Sequence, residues 1–263
     1  MSQNYKRKKN KIRYNNKKKF SSFNIRFNAS LAQDPIVNAT WYTSGISYTM
    51  PVNGPTSGNA SVNLFANFPL GSSGFTLMNV TWMSYSHSAN YVGSGINTPD
   101  YVTDGALNYN RFFADFGSMD FSQNVTNTTT AMERIRLMYR KDNLEMSASV
   151  RSRIANSNYL LADVEDHTCT FNNQAQFSVN WTWELAGLTV KADGNYNWYY
   201  GYVNEQPSQL VLNAEIQKTV FSKKATLALK GYDLLGQEQN LTVSDTSNYH
   251  TESVNNTLGR YVI

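Results

Sequence analysis

The order of polar and apolar residues in this 263-residue chain predicts an all-β fold of long antiparallel strands connected up and down. Three observations lead there. Period-two alternation recurs along the chain, while helical periodicity is hard to find. Tight connections take turns with long segments rich in Gly, Asn, Ser and Asp. Only 16% of residues are charged, against about 25% in ordinary soluble domains; Asn, Ser, Thr and 17 Tyr fill the deficit.

The strands follow in order. Phe23, Ile25, Phe27 and Ala29 alternate with Asn24, Arg26, Asn28 and Ser30. Val62, Leu64, Ala66 and Phe68 alternate with Ser61, Asn63 and Asn67, with Phe65 breaking the polar side. Over 75–88 the pattern is weaker, with Met78, Val80 and Trp82 on one side and Leu77, Met83 and Tyr85 on the other. Ile135, Leu137 and Tyr139 alternate with Arg134, Arg136, Met138 and Arg140; Asp142-Asn143 then turns the chain into Leu144, Met146, Ala148 and Val150. The clearest hairpin joins Ala175–Trp183 to Leu188–Trp198 through Glu184–Gly187. Leu210, Leu212, Ala214 and Ile216 mark a further strand, for about eleven in all.

Short connections fall near 15–19, 69–74, 141–143, 184–187 and 220–224. The segments 31–57, 90–118, 155–166, 203–208 and 233–248 read as long loops. Short turns on one side and long loops on the other are the pattern of a transmembrane β-barrel. The apolar sets are aliphatic in the middle and aromatic at the ends, at Trp181, Trp183, Tyr196 and Trp198. The opposite face carries Arg134, Arg136, Arg140, Arg151, Arg153, Lys191 and Asp193. An Arg facing lipid at the midplane costs about 2–4 kcal/mol, so these side chains are expected in a wet lumen. A soluble β-sandwich or solenoid also alternates, but sandwich strands average about 5–6 residues.

The segment Gln33-Asp34-Pro35-Ile36-Val37-Asn38-Ala39-Thr40-Trp41-Tyr42 resembles the outer-membrane β-barrel family of Bacteroidota, whose members are similar to TonB-dependent transporters. So do Leu212–Phe221, Ala225–Gln237 and Asn255–Tyr261. The resemblance covers nearly all of 20–263. It implies a large barrel of about 22 strands, normally filled by an N-terminal plug, and uptake of a bulky nutrient energised through TonB. These residues include no plug and no TonB-contacting segment, and the chain stops at Tyr261-Val262-Ile263 where family members continue into a last strand ending in an aromatic residue. The expectation is therefore the C-terminal half of a larger outer-membrane barrel. Its partners are then outer-membrane lipid, the plug and remaining barrel strands, TonB through the full-length protein, and an unidentified nutrient.

Charge is unevenly placed. Residues 1–19 hold nine Lys or Arg and no acid; without them 14 basic residues (23 less 9) face 19 acidic ones, a net −5. With Tyr5, Tyr14 and Phe20 interleaved, this arm could bind nucleic acid or an anionic surface. The alternation resuming at Phe20 favours a barrel strand followed by the turn Asn15–Lys19, with no nucleic-acid partner. One Cys excludes an intrachain disulfide, and no apolar run is long enough for a membrane helix. No apolar stretch follows the basic start, so an export signal is expected upstream.

Catalytic and metal motifs are not found. His87, His167 and His250 are far apart; His167 and Cys169 share a strand face, a spacing that is usually incidental. Asp163, Glu165 and Asp166 lack Ca²⁺-loop spacing and read as a solvated loop. The expectation is a non-enzyme without cofactor or metal. Two groups carry functional interest. Arg134, Arg136, Arg140, Arg151 and Arg153, with Lys191, make a basic inner wall that docks an acidic plug or attracts an anionic solute. Trp41, Tyr42, Tyr91, Tyr101, Tyr109, Tyr199, Tyr200 and Tyr202 are expected exposed in or near the long loops, as ligand contacts or interface anchors. Alternative readings are a ligand-binding or adhesion barrel without transport, and a soluble β-sheet carbohydrate-binding module.

Overall fold

The computed structural model describes residues 4–16, 21–43, 46–96, 100–103, 106–161, 167–202, 205–221, 224–238, 241–245, 250–254 and 258–263. Its strands are β1 (Asn4–Asn16), β2 (Ser21–Gln33), β3 (Ile36–Thr43), β4 (Ile46–Asn53), β5 (Ser57–Pro69), β6 (Phe75–Gly93), β7 (Val102–Thr103), β8 (Ala106–Leu107), β9 (Phe121–Lys141), β10 (Leu144–Tyr159), β11 (His167–Trp183), β12 (Leu188–Tyr200), β13 (Gln209–Val220), β14 (Ala225–Tyr232), β15 (Leu241–Asp245), β16 (His250–Val254) and β17 (Tyr261–Val262). One short helix, α1 (Tyr109–Asp115), precedes β9.

Thirteen of these strands form one sheet. Its path is β1-β2-β5-β6-β9-β10-β11-β12-β13-β14-β17, with the β3–β4 hairpin attached off the path. Every pairing along the path is antiparallel. The sheet is thus an open up-and-down wall, the architecture of a partial barrel. Its two edges, β1 and β17, are the first and eleventh members of the path and so run in the same direction.

The strands are long because alternation persists beyond the segments the sequence marks most clearly. β9 runs 21 residues and β6 runs 19; β6 extends to Gly93, inside the segment expected as a loop from 90, and β9 starts at Phe121, just beyond its end. β10 continues to Tyr159, inside the segment expected as a loop from 155. The expected loop 31–57 is largely the β3–β4 hairpin, and 233–248 contains β15. The basic arm forms β1, paired with β2 along its whole length.

Register shows how the strands lean. One row of paired residues runs Ser22, Asn67, Met78, Arg136, Ser149, Gln176, Asn195, Val211. It begins one residue from the turn-side end of β2 at Ser21 and finishes nine residues from that end of β13 at Val220 (220 less 211). The turns therefore slip eight residues over seven strand steps. With about 3.3 Å per residue and about 4.8 Å between strands, the tilt is about 38°, within the range of closed barrels.

Close packing within the wall limits substitution. A Cβ on Gly194 would overlap the Phe177 ring and come within 2.8 Å of Leu212 Cδ2. Gly194→Val is expected to destabilise the sheet by about 1–3 kcal/mol through overpacking, read as a lowered melting temperature of the β-sheet circular-dichroism signal.

Candidate functional site: a two-faced wall with a capped rim

Pairing places residues of like character on like faces. One face carries Ile25, Leu64, Leu77, Leu137, Ala148, Phe177, Gly194 and Leu212; Leu137, Ala148 and Phe177 stand exposed, Ile25, Leu64, Leu77 and Leu212 are half-buried, and Gly194 is buried. Val150 is 54% accessible, Ile135 52% and Phe177 44%. Toward the turn side this face ends in Phe23, Phe68, Phe75, Tyr139, Trp181 and Trp183, with Phe75–Tyr139 centroids 4.7 Å apart and Trp181–Trp183 stacked at 6.3 Å. Toward the loop side it ends in Tyr85, Phe171, Trp198 and Tyr200. Ten residues separate Phe75 from Tyr85 on β6, and ten separate Trp181 from Phe171 on β11. At the tilt above, that is about 26 Å of height, against about 25 Å for the apolar band of membrane barrels.

The other face is polar and holds the Arg and Lys residues singled out in the sequence. Near the turn side a charged row crosses six strands: Arg140, Glu145, Asn180, Lys191, Glu215, Lys230. Arg140 Nε lies 2.7 Å from Glu145, and Glu215 accepts both Lys191 at 3.6 Å and Lys230 at 3.5 Å. A trough of about 430 Å³ opens over this row, lined among others by Arg136, Arg140, Glu145, Asn180 and Lys191. Above it, Arg134 and Arg151 are direct cross-strand partners, with Arg136 and Arg153 one same-face step away on their strands. Arg134 donates to Gln176 Oε1 at 2.7 Å and Arg136 to Ser147 Oγ at 3.0 Å.

The loop aromatics do not form one surface. Trp41, expected exposed, is 1% accessible and sits at the centre of a small hydrophobic core with Ala39, Met50, Val52 and Phe112. It stacks on Phe112 at 5.3 Å and on Tyr48 at 5.5 Å, and meets Phe121 edge-on at 6.0 Å. The reason is long-range: β3 pairs in parallel with the loop-side end of β6, which brings the hairpin over α1. Asn108 caps α1 by accepting from Arg111 N–H at 3.2 Å. Gly93 permits the approach, since a Cβ there would overlap Ile96 and the Phe121 ring. Tyr91 and Tyr101 pack against this cap, so they too are part of its structure. Tyr42 and Tyr109 stay exposed on it. Tyr199 shares the polar face with Asn172, to which Tyr202 Oη donates at 2.6 Å. Tyr200 faces the apolar side instead.

Two features escaped sequence reasoning. Glu133 lies on the apolar face, where its carboxylate accepts from Thr81 Oγ1 at 2.6 Å and from Asn79 Nδ2. Its donors come from a strand about fifty positions earlier, so no local signal marks the cluster. Asp233 is 2% accessible, takes a left-handed φ of 44°, and accepts from the N–H groups of Gln237 and Glu238 at 3.0 and 3.1 Å. An Asp three residues before Gly236 is the turn signal that could have flagged it. Asp163, Glu165 and Asp166 lie outside the described residues, as do 17–20. His167 and Cys169 both fall on the apolar face of β11, and no group of three metal-ligating side chains occurs among the described residues. Among the described residues no helix is long and apolar enough to cross a membrane.

The class defined by this geometry is an up-and-down antiparallel β wall, apolar on one face and charged on the other. No protein-family model, curated protein or solved structure matches the chain.

Two predictions follow from the cap. Trp41→Ala removes its central ring and is expected to cost about 3–5 kcal/mol; amide exchange should quicken in β3, β4 and α1 while β9–β12 stay protected. Burial raises the Tyr101 phenol pKa, assisted by the Asp115 carboxylate that it hydrogen-bonds at 3.4 Å. The folded state thus favours the neutral phenol. Its contribution is intact below about pH 10, the ordinary tyrosine value, and is lost as pH rises through the raised one. Alkaline titration followed by Trp41 emission should show the cap loosening there, and Tyr101→Phe should abolish that transition.

Proposed function

We propose that this chain is a wall segment of a bacterial outer-membrane β-barrel, part of a TonB-dependent receptor or transporter that imports a bulky nutrient. One observation supports it above the rest: an exposed apolar band about 26 Å tall, bounded by aromatic rows at both margins. A contiguous apolar surface of that extent is incompatible with a soluble monomer, whereas hydrocarbon solvates it. The polar face then lines the lumen, where charged residues remain hydrated. The long-loop side, with its folded cap, faces outward, and the tight turns face the periplasm. The resemblance in Gln33–Tyr42 and Ala225–Gln237 supplies the transporter assignment and the partners: plug, remaining strands and TonB. In a second reading the barrel captures a ligand without transport, which the ordered cap with exposed Tyr42 and Tyr109 favours.

The test contrasts the two faces. Val150→Arg places a cation in mid-band and is expected to cost about 2–4 kcal/mol in a bilayer. Ser178→Arg, beside Asp193 on the polar face, should be near neutral. In a Cys169→Ser background, Cys at 178 should react with a membrane-impermeant maleimide and Cys at 177 should be protected. Equal reactivity, with a monomer stable in detergent-free buffer, would overturn the reading.

A further inference from the structure

We propose that Arg134, Arg136, Arg151 and Arg153 bind a polyvalent phosphorus oxyanion, a phosphate or pyrophosphate group of the solute that moves along the polar face. The inference rests on that face being the wet side of the barrel proposed above. Arg134 and Arg151 stand directly opposite each other. Arg136 lies one same-face step toward the turn on β9, and Arg153 one step away from it on β10, so the four make a stepped line across the hairpin. Like charges directly opposed in a sheet repel. Near the turn side, across β9 to β14, the protein pairs its charges: Glu145 with Arg140, and Glu215 with Lys191 and Lys230. At the β1 edge Lys11 and Arg26 are a second opposed couple of like charge, without an ion pair among the described residues. None of the four arginines joins an ion pair among the described residues.

The acids within this part of the wall are otherwise engaged. Glu133, adjacent in sequence, turns to the opposite face and is held by Asn79 and Thr81. Asp193 accepts from Asn213 at 2.9 Å. Neutral groups orient two of the guanidiniums: Gln176 holds Arg134, and Ser147 holds Arg136 while bonding Ser178 at 2.8 Å. The Nε atoms of Arg134 and Arg151 are nevertheless enclosed without a protein acceptor. Four guanidiniums on one hairpin, two of them oriented by neutral partners and none neutralised by a carboxylate among the described residues, match the several oxygens and the compact charge of a polyvalent oxyanion. A monovalent carboxylate would neutralise one of four positive charges.

The test uses the full chain in detergent micelles, its sheet verified by circular dichroism, titrated calorimetrically with inorganic pyrophosphate. Saturable binding is expected, falling steeply with salt. Arg134→Gln with Arg151→Gln should weaken it roughly tenfold or more per guanidinium lost. Arg134→Lys with Arg151→Lys should recover part of it, and Lys141→Gln, exposed at the turn-side end of β9 on the opposite face, should leave it unchanged. Pyrophosphate binding that is absent, or equal in the double Gln variant, overturns the inference. So does binding of a tetra-aspartate peptide without pyrophosphate, which would assign the patch to an acidic protein segment. Failure of the barrel reading is seen separately, as a chain that stays monomeric without detergent.

Discussion

Among the described residues, the broad apolar face of this sheet has no second layer packed over it. In a sandwich, an apolar face finds a second sheet or a helix. Here the one compact core found among the described residues, around Trp41 and Phe112, lies in the rim cap, and the broad face from Ile25 to Leu212 has no layer over it. Burial therefore cannot hold the wall together within the chain. What holds it is the continuous backbone ladder, up to nineteen paired positions between β6 and β9, with outside solvent deciding whether the open face is tolerable. In hydrocarbon an unpaired backbone group costs several kcal/mol, and the ladder becomes the dominant constraint. Strand length, tilt and aromatic placement all answer to it.

The same constraint explains which parts were legible in the sequence. Alternation is a local signal, so Ala175–Trp183 and Leu188–Trp198 could be assigned to faces without any tertiary knowledge, and Asp142-Asn143 announced its own turn. The arginines of β9 and β10 were placed together by the hairpin alone. The cap was not legible. Trp41 meets Phe112 from seventy-one positions away, and the intervening Asn, Gly and Ser content looks like solvated loop. Nothing near Trp41 in sequence distinguishes a side chain that anchors a rim from one exposed upon it. Glu133 was hidden for a related reason: its compensation comes across the sheet from β6, and its neighbours Met132 and Arg134 belong to the other face and say nothing about its partners.

Charge on the polar face is organised by position rather than by total. Arg140, Glu145, Lys191, Glu215 and Lys230 alternate in sign along one row, so their fields largely cancel within a strand spacing or two. Such exposed pairs add about 0–1 kcal/mol each, which makes the row a minor source of stability. Its effect is on potential: it leaves the turn-side part of the polar face across β9 to β14 close to neutral, with the arginine steps above it uncompensated.

The edges impose a last condition. Successive strands of the path alternate in direction, so the first and eleventh, β1 and β17, point the same way. Joining them would create one parallel seam in an otherwise antiparallel wall, and so would setting β17 of one copy beside β1 of another about a common axis. An antiparallel ring has an even number of strands; eleven becomes even only when an odd number is added. Lys8, Lys9, Lys11 and Arg13 along β1 are exposed and make that edge a poor template for a like-charged neighbour. A strand added to that edge in antiparallel register would run opposite to β1 and would meet its dense positive charge, which disfavours indiscriminate edge-to-edge assembly.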